Sequence, residues 1–280
     1  QAGVNEAIEQ GVSIEIADAV MSKPVGIPKT GIFGLIDLVG VDLMPKLAQS
    51  MLSTLPEKDE YRAIYKDFKF VHDMIAAGYN GRKGKGGFYR LDENRKKQAL
   101  QLSADSFSES QYKTASKESS LPSVEAGKQG LRAVLTAPDV GGKYAYDVLM
   151  RTLAYAASLV PEIADTVADV DEAMRLGYNW KRGPFEMIDE LGPKWFSGEL
   201  GKLGLPVPEL VTKVGDGTFY KIENGQQFYF GTDGKYYALT RPDGVLLLKD
   251  IKLKSKPVHK TASAALWDIG DGVLCLEFTG

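Results

Sequence analysis

The chain has 280 residues, a net charge of −3, a hydrophobic fraction of 44% and a single cysteine. The weak negative charge gives no electrostatic footprint for nucleic acid, and one cysteine excludes an internal disulfide or a cysteine-rich metal site. The sequence contains no run of 18 apolar residues, so it predicts no transmembrane helix. The length predicts two domains with room for a small third piece, and the cysteine usage fits a reducing, cytoplasmic setting.

The first hundred residues have the apolar spacing of a series of helices. We predict helices over residues 1–10, 13–21, 33–40, 42–55 and 61–77, with a loop between Pro24 and Pro28. The sequence opens with helical spacing and no initiator methionine, which predicts that it is a piece of a longer protein.

A glycine-rich stretch follows over residues 78–89 and ends on two aromatic residues. Its glycine spacing matches neither a dinucleotide-binding fingerprint nor a phosphate-binding P-loop. Two interpretations stay open: a turn whose cations face water, or a loop that packs its aromatics on the core and holds an acidic partner.

Residues 92–123 are polar and predict a short helix and an extended connector. Further helices are predicted over 124–135, 143–168 and 171–176. Another starts at Pro193, and the last starts at Pro206 or Pro208. After Gly215, aromatic and aliphatic residues alternate with polar ones. Asn-Gly and Asp-Gly pairs separate these runs and are strong hairpin signals, so the last 65 residues or so are predicted to be β-structure, including a strand over 245–248.

One twelve-residue pattern occurs twice, beginning at Lys29 and at Lys181. Both copies read K-x-G-x-F-x-x-I-D-x-x-G, so Phe, Ile, Asp and the last Gly fall on one helix face. The pattern predicts one helical unit present in duplicate. Each Asp on the buried face needs hydrogen-bond partners. It could tie its helix to neighbouring backbone, or it could bind a ligand directly.

No complete catalytic constellation is visible in the sequence. His72 lies in a predicted amphipathic helix, His259 lies in a lysine-rich stretch, and Cys275 is flanked by leucines. No nucleophile–histidine–acid signature or metal-binding spacing accompanies them. We therefore predict no catalytic and no metal-binding residues in this chain.

The duplicated pattern with its flanking residues resembles the C-terminal domain of 3-hydroxyacyl-CoA dehydrogenases. The resemblance rests on residues 17–42, on the glycine-rich element at 81–89, and on residues 171–189, in the family's order. The end of the chain, 263–278, more weakly resembles the opening hairpin of an enoyl-CoA hydratase (crotonase-type) domain.

The resemblance implies a mainly α fold with two copies of the dehydrogenase C-terminal helical domain and a small β-hairpin region. The expected boundaries are 1–100 for the first copy, 101–139 for a connector, 140–214 for the second copy, and 215–280 for the start of a crotonase-like domain. The two copies are expected to pack as an internal pseudo-dimer, the second copy being structural.

The function implied is that of a fragment of a bacterial NAD-dependent 3-hydroxyacyl-CoA dehydrogenase of fatty-acid β-oxidation. NAD, a Rossmann domain and a catalytic His–Glu pair belong to the full-length enzyme and match nothing here, so the fragment itself is expected to be inactive. The implied partners are acyl-CoA, the missing Rossmann domain and an enoyl-CoA hydratase domain. The expected substrate-binding residues are Pro28, Phe33 and Leu35 near the acyl chain and Lys83 or Lys85 near acidic groups. The alternative is a non-catalytic helical interaction module.

Overall fold

A computed structural model describes residues 1–279 as helices with three small antiparallel sheets. The first helices are α1 (Ala2–Glu9), α2 (Ile14–Val20), α3 (Phe33–Val39), α4 (Leu43–Thr54), α5 (Glu60–Ile64) and α6 (Lys69–Ala76). Ser13 caps α2 by accepting from the Ile16 N–H, as the sequence predicts. The α3 helix carries the first copy of the repeated pattern.

The single helix predicted over residues 61–77 is wrong, because the chain is extended between α5 and α6. Side chains at the start of the chain donate hydrogen bonds to carbonyl groups at this break. The Asn5 amide donates to the Ile64 carbonyl at 2.7 Å, and the Gln1 amide donates to the Lys66 carbonyl at 3.2 Å. These bonds join distant parts of the chain, so local periodicity does not reveal them.

A three-stranded antiparallel sheet follows the glycine-rich loop, with strands β1 (Tyr89–Leu91), β2 (Lys97–Leu100) and β3 (Tyr112–Thr114). The register pairs Tyr89 with Ala99, and Leu100 with Tyr112. Residues 101–139, expected to be a connector, thus contain β3, and they also contain α7 (Pro122–Glu125) and α8 (Leu131–Leu135). Leu131 and Val134 of α8 are fully buried.

The second half is built on α9 (Val140–Ser158), α10 (Val167–Tyr178), α11 (Pro184–Leu191), α12 (Pro193–Lys202) and α13 (Glu209–Val214). The prediction of one helix over 143–168 is wrong about where the helix ends. The α9 helix ends at Ser158, and α10 begins after Thr166. Thr166 and Asp169 form a reciprocal capping box there, which fixes a new helix start. The α11 helix carries the second copy of the pattern.

A second antiparallel sheet follows α13, with strands β4 (Tyr220–Glu223), β5 (Gln226–Phe230) and β6 (Tyr236–Ala238). Next comes α14 (Leu248–Lys254), so the strand predicted over 245–248 is wrong. A short apolar run does not separate strand from helix by periodicity alone. The third sheet contains β7 (His259–Lys260), β8 (Ala264–Asp268) and β9 (Leu274–Phe278), a hairpin region of the expected kind.

Both halves contribute to one continuous hydrophobic core. The α9 helix packs against α1 and α2. The Tyr144 hydroxyl donates to the Gly3 carbonyl at 2.9 Å, and Arg151 lies 3.3 Å from Glu6. Tyr144 is fully buried. The third sheet contributes no residue to this core and buries Ala265 and Trp267 separately.

None of the helices within residues 1–279 is long and apolar enough to cross a membrane.

Candidate functional site

The entry to α3 is organised by the buried carboxylate of Asp18, at the end of α2. One oxygen accepts from the Phe33 N–H at 2.7 Å and the other from the Gly34 N–H at 2.9 Å. The Tyr89 hydroxyl also donates to Asp18, at 2.9 Å. Because the first N–H groups of a helix have no partner within the helix, Asp18 satisfies two donors that would otherwise be orphaned.

The aspartate of the first pattern copy, Asp37, lies within α3 and binds a different part of the chain. Its two oxygens accept from the N–H groups of Phe88 and Tyr89, both at 2.8 Å. Phe88 is fully buried and packs edge-on against Phe33, with ring centroids 4.8 Å apart. Asp37 thus binds neighbouring backbone, as its structural interpretation predicts. The glycine-rich stretch combines both interpretations, because Phe88 packs in the core and Lys83 pairs with Asp42, whereas the cations of the loop are exposed.

The second half repeats the first of these arrangements at the entry to α11. Asp171 accepts from the Phe185 N–H at 2.8 Å and from the Glu186 N–H at 3.1 Å. The Tyr220 hydroxyl donates to the same carboxylate at 2.8 Å. Asp171, Phe185, Glu186 and Tyr220 thus occupy the roles of Asp18, Phe33, Gly34 and Tyr89.

The second arrangement also recurs in the second half. Asp189 accepts from the Phe219 N–H at 2.6 Å and from the Tyr220 N–H at 2.8 Å. Phe219 packs edge-on against Phe185, with centroids 4.8 Å apart. The sheet that begins at β4 is therefore bound to α11 as the sheet that begins at β1 is bound to α3. We call the contacts of Asp18 and Asp37 the first aspartate network, and those of Asp171 and Asp189 the second aspartate network.

The first glycine of each pattern makes room for an aspartate: Gly31 for Asp18, and Gly183 for Asp171. A β-carbon at Gly183 would lie 2.3 Å from atoms of Asp171, and one at Gly31 would lie 2.5 Å from the Asp18 side chain. Gly31 also has a positive φ of 67°, which disfavours any side chain. Close approach of the carboxylate thus explains the glycine at this position.

Burial dominates the electrostatics of both networks. It raises the pKa of Asp18, Asp37 and Asp189 to about 6 and that of Asp171 to about 7, against the lowering effect of the N–H and hydroxyl donors. Burial beside a carboxylate also raises the pKa of the Tyr220 hydroxyl. These carboxylates are held in the protein interior and bind main-chain donors.

The expected substrate-binding residues fall into different environments. Phe33 is fully buried in the first network, whereas Leu35 is 40% exposed on the outer side of α3. Pro28 is half-buried in the loop before α3. Lys83 pairs with Asp42 at 2.6 Å, and Lys85 is exposed in the glycine-rich loop.

The outer face of α3 is apolar and uncovered. Leu35, Leu38 and Val39 lie at helical spacing on this face and are 40–50% exposed, and Leu47 on α4 is 58% exposed. Lys83 borders this face, because a β-carbon at Gly40, where α3 ends, would lie 2.6 Å from its Nζ. We call Leu35, Leu38 and Val39 the α3 face. An exposed apolar patch of this kind marks an interaction surface.

The remaining chemistry-bearing residues do not assemble into a catalytic group. His72 contacts the exposed Asp67 at 2.6 Å, His259 lies exposed on β7, and Cys275 is half-buried on β9. Among the described residues, no group of three or more histidine, cysteine or acidic side chains could hold a metal ion.

Sequence reasoning missed the roles of Asp18, Asp171 and Tyr220. Asp18 precedes Phe33 by 15 residues and Asp171 precedes Phe185 by 14. An aspartate at nearly the same distance before each pattern phenylalanine is the signal that could have revealed them. A Phe-Tyr pair follows each pattern, at residues 88–89 and 219–220. The loops before these pairs differ, which concealed their equivalence.

The fold and the networks define a helical domain whose helices are fixed by buried carboxylates, with small sheets bound to them. The family described as 3-hydroxyacyl-CoA dehydrogenase, C-terminal domain, matches this sequence over residues 2–91 and 144–229. The chain belongs to this family. The second matched stretch extends beyond residue 214 into β4 and β5.

Curated relatives agree with this assignment. A probable 3-hydroxyacyl-CoA dehydrogenase of Bacillus subtilis (strain 168) is 31% identical over 98% of this chain and 35% of its own length. Putative fatty acid oxidation complex trifunctional enzymes of Rickettsia prowazekii (strain Madrid E) and Rickettsia felis are 35% and 33% identical. These matches cover 66% and 78% of this chain, and 25% and 29% of the relatives. The chain thus spans a quarter to a third of the length of these relatives.

Proposed function

We propose that this chain supplies the helical acyl-CoA-binding region of an NAD-dependent 3-hydroxyacyl-CoA dehydrogenase of fatty-acid β-oxidation. The observation that carries the proposal is the family match over both halves, together with the α3 face beside Lys83. An apolar surface bordered by a cation suits a ligand with an aliphatic chain and anionic groups.

We further propose that the two halves are copies of one domain, packed as an internal pseudo-dimer with α9 against α1 and α2. The matching geometry of the two aspartate networks supports this. Because Asp189 binds β4 as Asp37 binds β1, we extend the second copy to about residue 238. The third sheet then opens the crotonase-like region, which we place after residue 239.

The proposal assigns NAD and the catalytic His–Glu pair to a Rossmann domain outside this sequence. The residues present do not fit a dinucleotide site, because the three described sheets are antiparallel and such sites form at parallel strands. Because Phe33 is buried in the first aspartate network, we assign it as a support beneath the acyl site. Leu35 and Pro28 then lie nearer the acyl chain. A cytoplasmic setting remains part of the proposal.

Titration of the 280-residue chain with a 3-hydroxyacyl-CoA of medium chain length tests the proposal. We expect binding that Leu38→Asp weakens about tenfold, because a charge replaces apolar contact on the α3 face. Leu276→Asp on β9 is a matched control, since Leu276 is 56% exposed but lies far along the chain in the third sheet.

A non-catalytic helical interaction module is the competing function, and an activity assay separates the two. The chain is joined to a Rossmann domain of the kind that the proposal requires and assayed for NAD reduction with 3-hydroxyacyl-CoA. Turnover that Leu38→Asp reduces supports the dehydrogenase. Absence of both turnover and acyl-CoA binding in the joined protein would favour the interaction module.

A further inference from the structure

A cavity of about 570 Å³ lies between the second copy of the helical unit and the segment that follows it. Its walls come from α10, from Tyr220 and Gln227 of the second sheet, and from residues 239–249. Residues 239–249 lie beyond the family match. No residue of the α3 face lines the cavity, so an inference about it does not rest on the proposed function.

Three cations meet at this cavity: Arg175, Arg241 and Lys249. Arg175 pairs with Glu186 at 2.7 Å, and Arg241 pairs with Asp250 at 2.8 Å. Lys249 makes no salt bridge within residues 1–279, although burial and the two neighbouring arginines lower its pKa. Lys249 thus lies near two other cations and has no ion-pair partner of its own, so a bound anion could pair with it directly.

Three carboxylates line the cavity, and two of them bind other groups of the chain. Glu186 accepts from the Gly183 N–H at 2.9 Å in addition to its pairing with Arg175. Asp169 accepts from the Thr166 hydroxyl at 2.7 Å in the cap of α10. Only Glu172 lies at the cavity as an exposed acid without such a bond within the described part of the chain.

Aliphatic side chains form another part of the wall. Leu176, Val245 and Leu247 line the cavity with Leu239 and Pro242. Leu176 is 80% exposed and Val245 is 46% exposed, so they present apolar surface that the chain itself does not cover. Cationic and apolar walls thus face one space.

The first half has a crevice at the corresponding place, beside Tyr89, with a volume of about 430 Å³. Cations and acids line it, as they line the second-half cavity, but among the described residues at this crevice Ala19 is the only aliphatic one. The combination of cations with an aliphatic wall therefore arises in the second half, where residues 239–249 cover the crevice.

We propose that the second-half cavity binds a small amphiphilic anion, with a carboxylate or phosphate head on Lys249 and an alkyl chain along Leu176, Val245 and Leu247. Arg175 and Arg241 reinforce the head-group site through their charge. The alkyl chain removes from water the leucine and valine surface that is otherwise exposed.

Calorimetric titration of the 280-residue chain tests the proposal with decanoate, decyl phosphate, acetate and inorganic phosphate as separate probes. We expect the two decyl compounds to bind at least tenfold more tightly than their headgroups alone. The tighter of the two identifies the head group. Equal affinity of a decyl compound and its bare anion would overturn the proposal.

Two pairs of variants locate the site. Lys249→Gln is expected to weaken decyl-compound binding about tenfold or more, because a hydrogen bond to a charged group is lost. Lys256→Gln, an exposed lysine outside the cavity, should leave it unchanged. Val245→Ser should reduce the preference for the decyl chain, whereas Val273→Ser, at similar exposure in the third sheet, should not. Binding that survives Lys249→Gln but falls with Leu38→Asp would place the ligand on the α3 face and refute this site.

Discussion

At the scale of single residues, the protein depends on four aspartates that bind main-chain donors, of which Asp189 is half-buried and the other three are buried. Asp171 is the most enclosed of them, with no exposed surface and three donors. A carboxylate can accept from all three, whereas an amide must direct its N–H groups toward donors on one side. The chemistry of the acid, and not only its size, is therefore required.

We expect Asp171→Asn to lower the free energy of unfolding by about 2 kcal/mol, because at least one buried donor loses its acceptor. Chemical denaturation monitored by circular dichroism measures the change. Glu172→Gln is the matched control, because Glu172 is exposed and adjacent. A loss for Asp171→Asn no larger than that of the control would contradict the role assigned to the network.

The raised pKa values of the network aspartates predict how stability depends on pH. Their folded pKa values of about 6 to 7 exceed the ordinary value of 3.8, so the folded state binds protons that the unfolded state has released. This contribution is fully present below about pH 4 and is lost as pH rises through about 7.

We therefore expect the melting temperature to fall between pH 5 and pH 8. Scanning calorimetry at constant ionic strength measures it. Asp171→Asn removes one titrating group and should make this slope shallower. A melting temperature that rises over the same interval would show that the donors, and not burial, control these pKa values.

At the scale of elements, the position of a helix is set by the approach of one aspartate to the turn before it. Gly183 touches Asp171 so closely that an added β-carbon would lie 2.3 Å away. Gly198, within α12, has open space around the same position. The two glycines thus have different reasons for being present.

Replacement of each glycine by alanine should shift stability in opposite directions. Gly183→Ala is expected to cost about 2 kcal/mol or more, because the α10–α11 contact must open. Gly198→Ala is expected to stabilise by about 0.5–1 kcal/mol, because alanine restricts the unfolded chain and favours the helix. Thermal unfolding of both variants gives the comparison. Destabilisation by both changes to the same extent would remove the packing explanation for Gly183.

At the scale of the whole molecule, the two halves share one core through α9, while the third sheet forms its own small cluster. Tyr144 joins the halves, because it is buried between α9 and α1 and bonds to Gly3. The stability of either half should therefore depend on the other.

Tyr144→Ala should reduce hydrogen-exchange protection in α1 and α9 together, because both lose packing and the Gly3 carbonyl loses its partner. Exchange measured by mass spectrometry resolves the segments. Trp267→Ala, in the third sheet, is the control and should affect β8 and β9 while α1 and α9 keep their protection. Loss confined to α9 in Tyr144→Ala would show that the halves are energetically separate.

The sequence by itself determined the mainly helical class, the family, and the pattern that places Phe33, Phe185, Asp37 and Asp189 on buried helix faces. These features follow from local spacing, because a helix presents residues three and four positions apart on one side. Local sequence also made hairpin turns predictable, at Asn224-Gly225 and Asp233-Gly234 in the second sheet and at Asp271-Gly272 in the third, because such pairs favour the required backbone.

Only the tertiary structure decided the break between α5 and α6, the helix at 248–254 and the partners of the buried aspartates. Each depends on contacts between residues far apart in the chain, such as Asn5 with the Ile64 carbonyl and Tyr220 with Asp171. Likewise, only the structure shows that Leu35 is partly exposed to solvent whereas Phe33 is buried, although both lie on one short helix. Local propensity favours an element, but the satisfaction of buried polar groups by distant partners decides where it ends and what it contacts.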